Sequence, residues 1–325
     1  MKIINSDKIK EIFAGKGALE ILPEKCREYF ENGNAYIVTD SNVAPLWLDK
    51  IKARLDENGL NCFEYVIPAG EKSKTKDTLF DILDDMQKNA MGRKDYVIAL
   101  GGGVTGDIAG LAASLYNRGI PVVQIPTSLL AMVDSSIGGK TAINTNYGKN
   151  LIGTFHQPTF VICDSNFLST LPENEFTNGM AEVIKYGVIA DKELFNSLLT
   201  GVSRDDMDSV IERCIKIKTD IVDKDEKDKD ARLILNFGHT YGHAIELLSE
   251  YTIPHGYAVA KGMVLAALKS EKEGLCQKGT AEKIAQCCKA NSLDTSCEYT
   301  EAQLLEAAAL DKKRDSKGVK FVLLR

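Results

Sequence analysis

No run of about 18 consecutive apolar residues occurs in this chain, which excludes a membrane-spanning helix of ordinary length. The opening MKIINSDKIKEIFAG has neither a long apolar stretch nor a signal-like cleavage site. Cysteine is present, at positions 26, 62, 163, 214, 276, 287, 288 and 297, but no two are spaced C-x-x-C. A structural zinc site of that kind is therefore excluded, and reduced thiols in the cytoplasm are expected. An excess of positive charge is also lacking: 40 Lys and Arg stand against 46 Asp and Glu, for a net charge of −6. Nucleic acid is a poor partner for such a chain. A small anionic substrate is not excluded, because a few lysines can dominate one cleft. There is no internal repeat. Histidine is scarcest of all the chemically versatile residues, with four in 325.

What is present is a globular composition, 44% hydrophobic and 26% charged. The length allows one large domain or two ordinary ones. In the first half, apolar strands alternate with helical stretches. Strands are expected at 34–40, 62–70, 95–103 and 120–126, with helices at 44–58, 74–91 and 106–119. Such alternation implies parallel strands with crossover helices. Near Leu171-Pro172 the pattern changes. From 174 onward apolar residues recur at three-and-four spacing over 174–200, 204–222, 237–250, 255–274, 279–290 and 300–311. The expected fold is α/β, with a Rossmann-like parallel-sheet domain over 1–172 and an all-helical domain over 173–325. The one biased stretch, DKDEKDKDAR (223–232), reads as a solvated loop or frayed helix end.

GGGVTG (101–106) fits G-x-G-x-x-G through Gly101, Gly103 and Gly106, after a strand and before a helix. In that context glycines let backbone N–H groups approach a pyrophosphate. The acid expected about 20 residues later is missing, since 118–126 reads RGIPVVQIP. Asp40, at the end of an earlier strand, could supply the ribose contact instead.

His239, His243 and His255 lie close together in the chain. His239 and His243 share one helix face at i, i+4 spacing, but H-T-Y-G-H lacks the acid of a zincin motif. An apolar-flanked acid strengthens a metal reading. GMAEVIKYGVI places Glu182 and Lys185 three apart on a helix that otherwise reads as buried, and buried charges are paired or coordinate something. Glu plus two His would leave a fourth position open, as in a catalytic zinc site. Cations also stand among small or apolar residues: Arg118, Lys140, Lys149 beside Asn150, Lys185 and Arg232. IGGKT and GKN expose both backbone and ammonium, which suits phosphate or carboxylate.

The runs GGGVTGDIAGLAAS, PTSLLAMVDSSIGGKTAIN, KNLIGTFHQP, GMAEVIKYG, LNFGHTYGHAIE, HGYAVAKGM and DKKRDSKGVKFVLL, in this order, resemble the 3-dehydroquinate synthases of the sugar phosphate cyclase family. The resemblance covers nearly the whole chain. It implies a cytoplasmic, homodimeric, phosphate-eliminating lyase that carries NAD and a divalent metal, zinc or cobalt. The implied substrate is 3-deoxy-D-arabino-heptulosonate 7-phosphate and the product 3-dehydroquinate, in the shikimate pathway. The implied metal ligands are Glu182, His239 and His255, with His243 turned to the substrate. Implied NAD contacts are Asp40, Glu71, Lys74, Gly102, Gly103, Asp107, Thr127, Ser128, Lys140 and Lys149. Implied substrate contacts are Arg118, Lys140, Lys149, Asn150, Lys185, Lys218, Arg232, Asn236, His243 and Lys313. The chain departs from the pattern in its acidic loop. Relatives show D-E-x-E-x-G-x-R, whereas 225–232 has Asp228 at the acid position and no glycine. Relatives also continue past FVLLR. Sister cyclases of the 2-deoxy-scyllo-inosose or valiolone type are the alternative, followed by a metal-dependent polyol dehydrogenase of the glycerol dehydrogenase type and a non-catalytic nucleotide-binding regulator.

Overall fold

The computed structural model describes residues 1–312 and 321–324, with 310–312 described by backbone alone. The chain divides into two compact units, Met1–Leu171 with Lys218–Asp223, and Pro172–Ile217 with Lys224–Arg325.

The first unit is built on a sheet of strands β1 (Lys2–Ile4), β2 (Glu11–Ala14), β3 (Ala35–Asp40), β4 (Cys62–Ile67), β5 (Tyr96–Gly101), β6 (Val122–Pro126) and β9 (Phe160–Cys163). Between β6 and β9 in the chain, β7 (Lys140–Thr145) and β8 (Gly148–Phe155) form a separate antiparallel hairpin. The sheet order is β1-β2-β9-β6-β5-β3-β4. All neighbours are parallel except β1 and β2. The helices of this unit are α1 (Leu22–Phe30), α2 (Asp49–Asp56), α3 (Lys76–Lys88) and α4 (Gly103–Leu115). Apolar runs without alternation are what a parallel strand covered on both faces needs. AYIVT of β3 and YVIALG of β5 are buried throughout. The order also explains where a ligand would go. From β3 the chain steps outward to β4, then returns to β5 on the other side of β3. The carboxyl ends of β3 and β5 therefore flank a topological switch point, the usual binding crevice of such sheets.

Several boundaries differ from the sequence reading. The strand expected over 62–70 ends at Ile67, because Pro68 cannot donate to the ladder and Gly70 takes φ 101°. The helix expected over 106–119 starts at Gly103 and stops at Leu115. Asn117, Arg118 and Gly119 follow with φ of 51°, 71° and 110°. The hairpin β7–β8, the short strands β1 and β2, and β9 were not anticipated. Short strands carry too little periodicity to register.

The second unit comprises α5 (Glu173–Ala190), α6 (Lys192–Leu198), most of α7 (Met207–Lys224), α8 (His239–Leu248), α9 (His255–Lys272), α10 (Thr280–Ala290) and α11 (Glu301–Lys312). The single helix expected over 174–200 is broken at Asp191, whose φ/ψ of −143°/91° leave the helical region. Its carboxylate caps α6 by accepting from Leu194 N at 3.0 Å. Residues 218–223 group with the first unit, although they fall in the stretch expected to be wholly helical domain. Lys218 Nζ donates to the Asp134 carbonyl and carboxylate, and Asp223 accepts from Ser6 and the Asp7 backbone. The acidic stretch is not simply solvated either. Asp225 accepts from the backbone N–H of Lys229, Asp230 and Arg232, which folds it into a defined turn.

The pairing of α8 with α9 depends on glycine. A Cβ at Gly262 would overlap the Gly238 carbonyl oxygen, and one at Gly242 would lie 3.2 Å from Val259 Cα. A Cβ at Gly256 would overlap the Asn178 carbonyl on α5. Only hydrogen at these positions lets the three helices approach so closely, and that approach brings their histidines and carboxylate together.

Candidate active site

In the first unit, the switch point carries Asp40 at the end of β3 and the three glycines at the end of β5. Asp40 is held firmly. Its Oδ1 accepts from Asn42 N and Val43 N, and its Oδ2 from the Thr105 hydroxyl at 3.1 Å. The glycines divide by role. A Cβ at Gly101 would press on Thr105 and one at Gly106 on Gln124 Oε1, so these two serve helix–strand packing. Gly102 and Gly103 open α4, and added Cβ atoms there would point at Ser128 Oγ (3.4 Å) and Ser135 Oγ (3.1 Å). The first N–H groups of α4 have no partner within the helix and favour an anion. A dinucleotide's pyrophosphate and ribose suit this pairing of helix N-terminus and strand-end acid. Thr127 and Ser128 follow β6, with Thr127 N bonded to Gly101 O at 2.9 Å.

Beside the switch point, Lys74 is 3% exposed, and its Nζ lies 2.5 Å from both Asp107 Oδ2 and Asn150 Oδ1. Burial raises the Asp107 carboxyl above its ordinary range although Lys74 pulls it down. Asn144 Nδ2 donates to Glu71 Oε1, and Asn150 N donates to Asn144 Oδ1. The network thus joins Glu71, Lys74, Asp107 and Asn150. Asn150 itself has φ 56°. Lys140 and Lys149 stand on β7 and β8, exposed and half-buried respectively. Arg118 is exposed on a left-handed backbone, a conformation that costs about 1–3 kcal/mol and recurs at functional sites.

In the second unit, Glu182 of α5, His239 at the start of α8 and His255 at the start of α9 present donor atoms within 4.8 Å of one another. Glu182 Oε1 lies 3.5 Å from His239 Nε2 and 3.5 Å from His255 Nε2. Those spacings match the edge of a tetrahedron with ligand bonds of about 2.1 Å, which is about 3.4 Å. His239 Nδ1 lies 3.1 Å from the Phe237 carbonyl, which can only accept, so Nδ1 carries the proton and Nε2 shows its lone pair. Burial lowers the His239 pKa to about 3, so the ring is neutral, as a ligand must be. Burial also works against charge on His255. The carboxylates of Glu182 and Glu246 outweigh it and raise that ring to about 10. The spot between them favours positive charge, whether a proton or a metal ion. The donor set suits zinc or cobalt.

Lys185, 1% exposed, pairs with Glu182 Oε2. Removing one partner of such a buried pair costs about 3–5 kcal/mol. Arg232 is 2% exposed and donates to the Glu226 carbonyl at 2.8 Å. His243 lies on α8 with its ring centroid 5.5 Å from that of His239, exposed where His239 is not. Asn236 closes the 3-10 turn Ala231–Asn236, and Gly238, with φ 80°, separates that turn from α8. Lys313 lies outside the described residues.

Three residues were missed in the sequence. Glu246 faces His255 Nδ1 at 3.2 Å, Asp134 holds Lys218, and Asn144 joins Glu71 to Asn150. The rule that singled out Glu182, an acid among apolar neighbours, also applies to Asp134 in LLAMVDSS and Glu246 in HAIELL.

Comparison with known proteins shows the family. The models of the 3-dehydroquinate synthase N-terminal and C-terminal regions match residues 64–178 and 179–314. The 3-dehydroquinate synthase of Clostridium acetobutylicum is 42% identical over 320 residues, 97% of this chain and 90% of its own. Among solved structures, a 2-deoxy-scyllo-inosose synthase complexed with carbaglucose-6-phosphate, NAD+ and Co2+ aligns with a TM-score of 0.88 at 26% identity, covering 98% of this chain and 89% of that one. A 2-epi-5-epi-valiolone synthase from Streptomyces hygroscopicus subsp. jinggangensis, with NAD+ and Zn2+ bound, aligns at 0.85 and 28% identity, covering 97% and 89%. The α/β unit with the switch-point crevice, the helical unit with its Glu-His-His cluster, and a match along nearly the whole length lead to one conclusion: the chain belongs to the 3-dehydroquinate synthase family of enzymes.

Proposed function

We propose that this chain converts 3-deoxy-D-arabino-heptulosonate 7-phosphate to 3-dehydroquinate and phosphate, a step of the shikimate pathway, with NAD and one divalent metal ion, zinc or cobalt. The observation that carries the reading is the cluster of Glu182, His239 and His255, whose donor atoms lie within 4.8 Å of one another and whose two edges from Glu182 Oε1, 3.5 Å each, suit a tetrahedral ion. In a bound complex the metal would polarise substrate oxygens, and NAD would accept and return a hydride. Glu182, His239 and His255 would hold the metal, and a metal held by three protein ligands could also take a substrate oxygen. Asp40 receives the ribose, and Gly102, Gly103, Thr127 and Ser128 line the pyrophosphate. Glu71, Lys74 and Asp107 fix the loop at the cofactor's edge.

The departing phosphate needs cations. In the first unit, taken by itself, the candidates are Arg118, Lys140, Lys149 and Lys218, with Asn150 as a neutral donor. In the second unit, taken by itself, the candidates are Lys185 and Arg232, with Asn236 four residues after Arg232 and Lys313 outside the described residues. Lys185 and Arg232 are buried and already held by Glu182 and the Glu226 carbonyl, so little side-chain freedom is lost when substrate binds. His243, exposed and near the ligand cluster, moves a proton at a substrate oxygen. The working form is a cytoplasmic homodimer, and sedimentation at the mass of one 35.6 kDa chain would refute the dimer.

Zinc-loaded protein with NAD should release phosphate from the heptulosonate phosphate and not from glucose 6-phosphate. The high structural similarity to an inosose synthase that holds a carbaglucose phosphate keeps one second reading in play. Phosphate release from glucose 6-phosphate alone would establish it and sink the first.

A further inference from the structure

Glu246 has no place in the ligand set, yet it is buried beside it at 5% exposure. Its Oε2 lies 3.2 Å from His255 Nδ1, while Nε2 of the same ring lies 3.5 Å from Glu182 Oε1. One imidazole therefore stands between two carboxylates, each facing its own nitrogen. The three groups come from three helices: Glu182 from α5, Glu246 from α8 and His255 from α9. In the neutral ring the single proton goes to Nδ1, because Glu246 lies nearer to it (3.2 Å) than Glu182 does to Nε2 (3.5 Å), and Nε2 is left with the lone pair.

A competing use of the same ring exists. His243, Glu246 and His255 also offer donor atoms within 4.8 Å of one another. An ion there would need Nδ1 as its ligand, with the proton moved to Nε2. The two uses demand opposite tautomers of His255. The inner set is the more protected, with side-chain exposures of 0% for Glu182 and 12% for His239, whereas His243 is exposed. Its members also hold the spacing of a tetrahedral site. We infer that Glu246 is a positioning residue, which orients His255 and fixes its Nδ1–H tautomer so that Nε2 is delivered to the metal shared with Glu182 and His239. The inference deepens the metal reading given above and rests on it. The Glu246 side chain touches neither metal nor substrate in this role. It acts through the ring.

A carboxylate or carbonyl behind a ligating histidine is worth about 10–100-fold in metal affinity. The test is the zinc dissociation constant, measured by competition with a chromophoric chelator at one pH. Wild type, Glu246→Leu, Glu246→Gln and His243→Ala are compared, with thermal melts and NAD binding to show that each variant is folded. Glu246→Leu should bind zinc about 10–100-fold more weakly. Glu246→Gln keeps an acceptor of the same size without the charge, and its loss should be smaller, about 3-fold or more. His243→Ala should bind zinc as wild type does. Wild-type affinity in Glu246→Leu, or in Glu246→Gln should the leucine variant not fold, overturns the inference while the metal reading stands. Loss of zinc in His243→Ala comparable to that in Glu246→Leu would put the ion in the outer trio and overturn it too. A wild-type protein that binds no zinc would take the metal reading down with it.

Discussion

Consider Gly262→Ala, far from any reacting atom. The new Cβ would overlap the Gly238 carbonyl oxygen and lie 2.7 Å from Gly242 N. Both obstacles are backbone, so no side chain can rotate away, and α8 and α9 must separate. Overpacking of this kind costs about 1–3 kcal/mol. Alanine recovers about 0.5–1 kcal/mol through its better helix propensity. Because both obstacles are backbone the cost falls at the upper end, about 3 kcal/mol, so the net loss is about 2–2.5 kcal/mol, or a fall in Tm of about 4–10 °C for a domain of this size. The metal site should suffer more than the fold. His239 starts α8 and His255 starts α9, and each must stay 3.5 Å from Glu182 Oε1. Zinc affinity should fall about 10-fold or more, as when other supports of a ligand are lost. Calorimetric melts and chelator competition read the two effects. Gly92→Ala is the control, because its Cβ would meet Asp95 Oδ2 at an ordinary 3.6 Å. That change should stay within about 0.5 kcal/mol. If Gly262→Ala melts and binds zinc like wild type, close approach of these helices does not set the site.

Other expectations follow from the same geometry. His239→Ala should lose zinc and activity together, and a variant that kept stoichiometric zinc would show that His239 is not a ligand. Asp40→Asn keeps the bonds from Asn42 N and Val43 N and reverses the one to the Thr105 hydroxyl, which the amide then donates, but removes the charge offered to the ribose. Titration should show NAD affinity reduced about 10-fold, equivalent to about 1.4 kcal/mol, with melting unchanged. Asp191→Asn tests a pH dependence. The Arg213 guanidinium, at 2.6 and 2.7 Å, holds the Asp191 carboxyl below its ordinary value of 3.8. A depressed carboxylate contributes stability above the unfolded pKa, and that contribution is lost as pH falls through the folded pKa. Asparagine still caps α6, so only the charge pair is lost, worth about 0.5–1 kcal/mol at neutral pH for a partly exposed pair. The gap in Tm between variant and wild type should close below about pH 3.8, and a gap that persisted there would assign the effect to capping.

Much of this site could be read in the sequence because its chemistry is concentrated in unusual local patterns. Three histidines close together, a glycine triplet between strand and helix, and an acid and lysine inside an apolar helix each stand out against ordinary packing. The strands β3 and β5 were legible because burial on both faces demands unbroken apolar runs. What stayed hidden depends on pairings distant in the chain. Asp191 breaks a helix by capping the next one, and nothing in the apolar periodicity of 174–200 marks that. The hairpin β7–β8 was hidden because IGGKT and GKN stood out only as small residues exposing backbone and ammonium, whereas the pairing that orders them runs across strands. Gly262 looked like an ordinary helix residue, and only the α8 backbone opposite explains it. Glu246 lay inside the histidine motif itself, but its role depends on which nitrogen of His255 it meets.

The central claim is that the chain eliminates phosphate while using NAD catalytically. It is tested by counting phosphate released per NAD, with zinc-loaded protein, excess heptulosonate phosphate and NAD limiting. Phosphate should exceed NAD many times over, with no net rise at the NADH absorbance band. Phosphate that stopped at one equivalent of NAD, or NADH that accumulated in step with turnover, would contradict it.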